Sequence, residues 1–183
     1  MQRTLLLVCR YALNPYRQTP PVIDEASVTA FTQSDIDPLH RSIPEYAPTP
    51  LIDLPHCAKH LGVKRLFVKD ESQRFGLRAF KALGASYAVY RFLCDELVQR
   101  GGTTPDPTTF YSQPLPDDLP RYTLCTATDG NHGRGVAWVA RKLGQRAVIF
   151  MPHGSLNARV EAIESEGADV IIVDGDYDAT VCA

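Results

Sequence analysis

The sequence contains no apolar run near the ~20 residues that a membrane-crossing helix requires. Leu5-Leu6-Leu7-Val8-Cys9 is apolar, but Arg10 closes it at once, too early for the core of a secretory signal. A basic surplus is also missing: the formal net charge is −2, which disfavours nucleic acid as a partner. The five cysteines, Cys9, Cys57, Cys94, Cys125 and Cys182, form no CxxC pair and are odd in number. That excludes a recognisable zinc framework or disulfide scaffold and reads them as small buried apolar residues of a reducing compartment. His40, His56, His60 and His153 have no metal-ligand spacing and read as surface residues. Arg3, Arg10 and Arg17 precede the first acid, Asp24. This faint likeness to a transit peptide does not displace the cytoplasm as the expected location.

What is present is an ordinary globular composition. The 183 residues are 44% hydrophobic and 22% charged, enough for one domain, or one and a fraction, burying roughly 70% of its unfolded surface. Residues 1–48, with six prolines, read as an irregular lead-in holding at most one short helix. A short helix is expected near Asp53–Leu61, stopped by Gly62, and Leu66–Val68 reads as a short buried strand. From Ala82 the apolar residues Leu83, Tyr87, Tyr90, Cys94 and Leu97 recur at helical steps until Gly101-Gly102, which predicts a long helix. Five prolines in residues 103–120 mark a surface loop.

The second half alternates. Thr123–Ala127, Ala147–Met151 and Val170–Val173 read as strands. Helical faces lie between them: Val136, Ala140 and Leu143, then Leu156, Val160 and Ile163 behind Ser155 as candidate N-cap. Strand–helix–strand order predicts an α/β fold with parallel pairing and helical crossovers. A new helix starts near Tyr177 and the sequence stops at Ala183, so a chain truncated inside its domain is expected.

Two stretches carry chemistry. In Arg74-Phe75-Gly76-Leu77-Arg78-Ala79-Phe80-Lys81, Lys81 is expected at a helix start beside apolar residues. Both the helix dipole and apolar surroundings disfavour an ammonium there, and the neutral amine is the form that attacks an aldehyde. A solvated lysine on a helix flank is the plainer alternative. In Thr128-Asp129-Gly130-Asn131-His132-Gly133-Arg134-Gly135, three glycines at a strand-to-helix junction would let a ligand approach the backbone, with free N–H groups favouring an anion. The spacing fits neither GxGxxG nor GxxxxGK[ST], which points to a carboxylate rather than a diphosphate. An ordinary junction capped by Thr128, Asp129 or Asn131 remains open, as does a merely packed His132.

Together these motifs resemble the fold-type II pyridoxal-phosphate enzymes, the tryptophan synthase β-like group, in which a Phe-Lys pair and a Ser/Thr-x-Gly-Asn-His loop occur: here Phe80-Lys81 and Thr128 through His132. The closer resemblance is to the diaminopropionate ammonia-lyases, through Pro48-Thr49-Pro50-Leu51, Val68-Lys69-Asp70-Glu71-Ser72, Arg74-Phe75-Gly76-Leu77, Ala79-Phe80-Lys81 and Thr128 through Trp138. The resemblance implies pyridoxal 5'-phosphate as cofactor, held by Lys81 through a Schiff base and contacted by Asn131. It implies a small amino-acid substrate whose carboxylate meets Thr128, Gly130 and His132, and α,β-elimination of 2,3-diaminopropionate to pyruvate and ammonia. Asp129 stands where relatives carry a small neutral residue, and so offers a second base beside Lys81, one for each enantiomer. The resemblance further implies residues 1–80 as the leading part of a large domain, residues 81–183 as a small α/β domain, and a homodimer for full-length members. A serine or threonine dehydratase and a non-catalytic fragment are the competing readings.

Overall fold

The computed structural model describes Glu25 and residues 35–182; the lead-in expected before residue 35 lies otherwise outside the described residues. Three parallel strands, β3 (Thr123–Ala127), β4 (Arg146–Pro152) and β5 (Asp169–Val173), form a sheet in the order β3-β4-β5. Helices α4 (Asn131–Lys142) and α5 (Asn157–Glu164) cross between them. This is the expected α/β arrangement, and its cause lies in the central strand. Along β4 the residues Ala147, Ile149 and Met151 are buried while their neighbours are more open, the two-residue period of a strand with one face on a core. Val136, Ala137, Val139 and Ala140 of α4 meet that face.

The long helix α3 (Lys81–Gln99) packs on α4. Its buried residues Ala82, Ala85, Val89, Leu93 recur at the three- and four-residue steps of one helical stripe. Tyr90, Leu93, Val139, Ile149, Met151 and Ile163 are almost wholly buried and form the centre of the core.

The leading residues differ in kind. Helix α1 (Ile36–Arg41) lies against α3. Strands β1 (Leu51–Asp53) and β2 (Phe67–Lys69) pair antiparallel around α2 (Pro55–Leu61). Proline at the first position starts α2, and Gly62 at φ 67° ends it, a left-handed conformation that suits glycine. A short helix closes the described chain, α6 (Tyr177–Cys182).

Several expectations are corrected. The β2 strand is exposed, with Phe67 43% and Val68 42% accessible, because among the described residues β1 is its only sheet partner. Cys57, Cys125 and Cys182 are exposed and, among the described cysteines, only Cys94 is buried; Cys125 lies on the outward face of an edge strand. His40 is buried, its Nε2 2.9 Å from the Leu83 carbonyl, because α1 turns it toward α3. Ser155 does not cap α5: its hydroxyl donates back to the Pro152 carbonyl at 2.8 Å, and Leu156 occupies the cap position. The loop of residues 103–120 is anchored, with Phe110 buried and the Tyr111 hydroxyl donating to the Ser86 carbonyl at 2.9 Å. Burial pushes the Tyr111 phenol well above its usual range.

Candidate active site

Lys81 is the first residue of α3 and is exposed. The segment that delivers it is built from backbone conformations that side-chain-bearing residues seldom take. Phe75 has φ 51°, Gly76 φ 72° and Arg78 φ 57°, all left-handed. Phe75 is held there by burial and by stacking on Trp138 of α4, with centroids 4.8 Å apart.

Beneath this segment the other family-like runs converge on one buried guanidinium. Arg74 donates to Glu71 Oε2 at 2.7 Å, to the Ala47 carbonyl at 2.9 Å and to Thr49 Oγ1 at 3.0 Å. Lys69 donates to the Thr49 carbonyl. Hydrogen bonding from Arg74 holds the Glu71 carboxyl below the usual range. Thr49, Lys69, Glu71 and Arg74 therefore brace the chain that carries Lys81.

The second motif starts where β3 ends. Thr128 is buried, and its Oγ1 accepts the N–H of Gly130 at 3.0 Å and of Gly133 at 3.2 Å. It thus caps α4 from three residues ahead of its first residue, Asn131, satisfying one of the open donors of the first turn. No hydrogen bond from another described residue engages the N–H of Asn131 or His132, which leaves two donors at the positive end of a helix.

Two of the three glycines, Gly133 and Gly135, also admit close packing. A Cβ at Gly133 would lie 2.3 Å from Thr128 Cγ2 and 2.7 Å from Ile149 Cγ2. One at Gly135 would lie 3.0 Å from the Ala82 nitrogen and 3.2 Å from the Lys81 carbonyl carbon. Gly133 lets α4 settle on the sheet, and Gly135 lets it touch the start of α3. The close approach is of helix to backbone, and it brings Lys81 beside the loop.

The two motifs share a cavity of about 580 Å³. Lys81, Asp129, Asn131 and His132 line it, with Thr128 and Gly130 between. Every residue singled out from sequence is thus brought together. Besides Ala127 at the end of β3, two further residues line it, Arg159 from the first turn of α5 and Tyr177 from the first turn of α6. No motif marks them. The general rule that ligands of open α/β sheets lie beyond the carboxyl ends of the strands could have pointed to both. A primary amine, an amide side chain, a carboxylate and free helix N–H groups make a donor set that suits an aldehyde-bearing anionic cofactor and an amino-acid substrate. Among the described residues no group of three or more His, Cys, Asp or Glu is placed to hold a metal ion.

Residues 43–183 match the family model described as pyridoxal-phosphate dependent enzyme. The chain belongs to that family. Among curated proteins it is similar to the diaminopropionate ammonia-lyase of Escherichia coli strain K12, 44% identical over 165 residues, covering 90% of this chain and 39% of the relative. The enzyme of the same name from Salmonella typhimurium strain LT2 is 45% identical over 142 residues, 78% of this chain and 35% of the relative. The chain thus spans about two fifths of the length of these relatives. Among solved structures, the holo diaminopropionate ammonia lyase of Escherichia coli superposes with TM-score 0.72 at 45% identity, over 81% of this chain and 36% of that one. The chain also shares its fold with threonine deaminase isoform 2 from Solanum lycopersicum, with TM-score 0.57 at 22% identity.

Proposed function

We propose that this chain carries the lysine-bearing part of a site that eliminates ammonia from 2,3-diaminopropionate to give pyruvate. The observation that carries the reading is the meeting of Lys81, Asp129 and Asn131 in one cavity. The relatives named diaminopropionate ammonia-lyase support the substrate, as does a lyase structure in complex with an aminoacrylate–PLP azomethine intermediate. On this reading residues 1–80 are the leading part of a large domain and residues 81–183 a small one. The complete protein works as a cytoplasmic homodimer.

Bound pyridoxal phosphate supplies an electron sink for charge developing at the substrate Cα. The chain's own groups do the rest. Lys81 Nζ is the group that would hold the cofactor's aldehyde carbon and, when free as an amine, would take the Cα proton from one face. The Asp129 carboxylate removes it from the other. Asn131 contributes its side-chain amide to the cofactor. The substrate carboxylate rests on the free N–H groups of Asn131 and His132, next to Gly130, with the His132 ring beside it, while Thr128 keeps that turn in shape by accepting the Gly130 N–H. Ammonia then leaves Cβ, and the product enamine hydrolyses to pyruvate and a second ammonia.

Borohydride reduction of the holoenzyme should fix the cofactor to the peptide containing Lys81; a label on Lys69 or any other lysine rejects the assignment. Asp129→Asn should lower turnover of one enantiomer of 2,3-diaminopropionate by about 100- to 10,000-fold and spare the other. Equal loss on both would leave Asp129 a structural role.

A further inference from the structure

Resting on the reading of Asp129 as the base for one enantiomer, we infer that Arg159 is the positioning residue that holds Asp129 against the cavity and so sets the enantiomer preference. One nitrogen of Arg159, Nη1, donates to the Asp129 main-chain carbonyl at 2.8 Å. The same nitrogen stands 3.8 Å from Asp129 Oδ2. Its stem runs along the next residue: a Cβ built on Gly130 would sit 3.5 Å from Arg159 Cδ and 3.8 Å from Nε. Arg159 therefore grips both the main chain and the side chain of the motif's acid and covers the glycine that follows. An adventitious surface ion pair would touch only the carboxylate.

The arrangement suits a base. The Asp129 side chain is 75% exposed, and among the described residues no hydrogen bond fixes its carboxylate. Arg159 is the group that restrains it. A bidentate fork would occupy both carboxylate oxygens, whereas an approach of 3.8 Å leaves lone pairs open to a proton. Lys81 enters the cavity from α3, on a different element, braced by α4 and the Arg74 cluster. Loss of Arg159 should therefore fall on chemistry that depends on Asp129 and spare chemistry that depends on Lys81.

The experiment compares unmodified, Arg159→Met and Arg159→Lys holoenzymes with each enantiomer of 2,3-diaminopropionate, alongside the amide resonances of 15N-glycine-labelled protein. The carbonyl of Asp129 shares its peptide group with the Gly130 amide, so that resonance reports the main-chain grip directly. Arg159→Met should lower kcat for the Asp129-dependent enantiomer about 10-fold, as expected for a half-exposed charge-assisted contact, and change the other by less than about two-fold. Arg159→Lys should recover part of the loss, since it keeps the charge without the planar fork. The Gly130 resonance should move in Arg159→Met and move less in Arg159→Lys. Equal losses on both enantiomers, or no loss, overturn the inference. If the unmodified holoenzyme converts neither enantiomer, the proposed function has failed. The resonance alone then decides: an unmoved Gly130 amide overturns the positioning role, and a moved one supports it.

Discussion

The two stretches on either side of Lys81 hold themselves together by different means. From Lys81 onward, buried aliphatic and aromatic side chains of α3, α4, β4 and α5 interlock, and glycines are spent on close packing. Before Lys81, Leu39, Ile43, Phe75 and Leu77 join that core, but the run of residues 47–74 is tied by polar contacts: Arg74 to Glu71, Thr49 and Ala47, and Arg65 to Asp53 at 2.7 Å. Its large apolar residues Leu51, Ile52, Leu61, Val63, Phe67 and Val68 are exposed. An exposed apolar patch of this kind is characteristic of a surface that meets other protein, and the matched relatives are more than twice as long as this chain. The same substitution type should therefore have opposite weight in the two stretches.

The contrast is sharpest for glycine. Gly133→Ala drives a methyl group into the Thr128 and Ile149 side chains, both buried, and overpacking of this kind costs about 3 kcal/mol. Gly62→Ala meets no atom within 4 Å and costs only the left-handed conformation, about 1 kcal/mol. Denaturant midpoints of the two variants measure the difference. If Gly62→Ala were the more damaging, the leading stretch would be the more tightly packed of the two.

Arg74→Met should cost about 2 kcal/mol, between those values. It leaves the Glu71 carboxylate without its guanidinium, although Glu71 keeps 16% of its side-chain surface and some access to water. Since Arg74 braces the segment that delivers Lys81, trapping of the cofactor by borohydride should weaken along with stability. Unchanged trapping in a destabilised variant would separate the brace from the site. Leu61→Gln, at a residue 62% exposed, should shift the midpoint by less than about 0.5 kcal/mol.

The stretch after Lys81 was the more legible in sequence for the same reason that it is the more self-contained. The expected strand Thr123–Ala127 is the observed β3, and the expected Ala147–Met151 falls one residue short at each end of β4. Periods of two and of three to four survive wherever one face is buried by the chain's own residues. They fade in β1 and β2, which are open on both faces. Motif residues were legible because Lys81 and the 128–135 run are contiguous. Arg159 was not, because its partner Asp129 lies 30 positions away and no local pattern records such a contact. Gly133 and Gly135 stood out as glycines, yet what they admit, Thr128 and the Lys81-Ala82 backbone, depends on tertiary packing.

His40 joins the two stretches and gives the smallest expected effect near neutral pH. It is buried, with Nε2 2.9 Å from the Leu83 carbonyl, two residues beyond Lys81. Burial lowers its pKa from 6.5, outweighing the bond to Leu83, which acts in the opposite sense. The unfolded chain therefore binds a proton at a higher pH than the folded one, and stability must fall as pH drops through the interval below 6.5. Above 6.5 both states carry the neutral ring and the contribution is constant. The Glu45 and Glu71 carboxyls are lowered from 4.5, so the stability they lend is lost only on acidification below that value, which separates the two effects in pH. In His40→Gln a side-chain amide still donates to the Leu83 carbonyl but does not titrate. Urea midpoints measured between about pH 5 and pH 7.5 should slope with pH in the unmodified protein and flatten in the variant. Parallel slopes in both would place the pH response elsewhere and leave His40 a packing residue between α1 and α3.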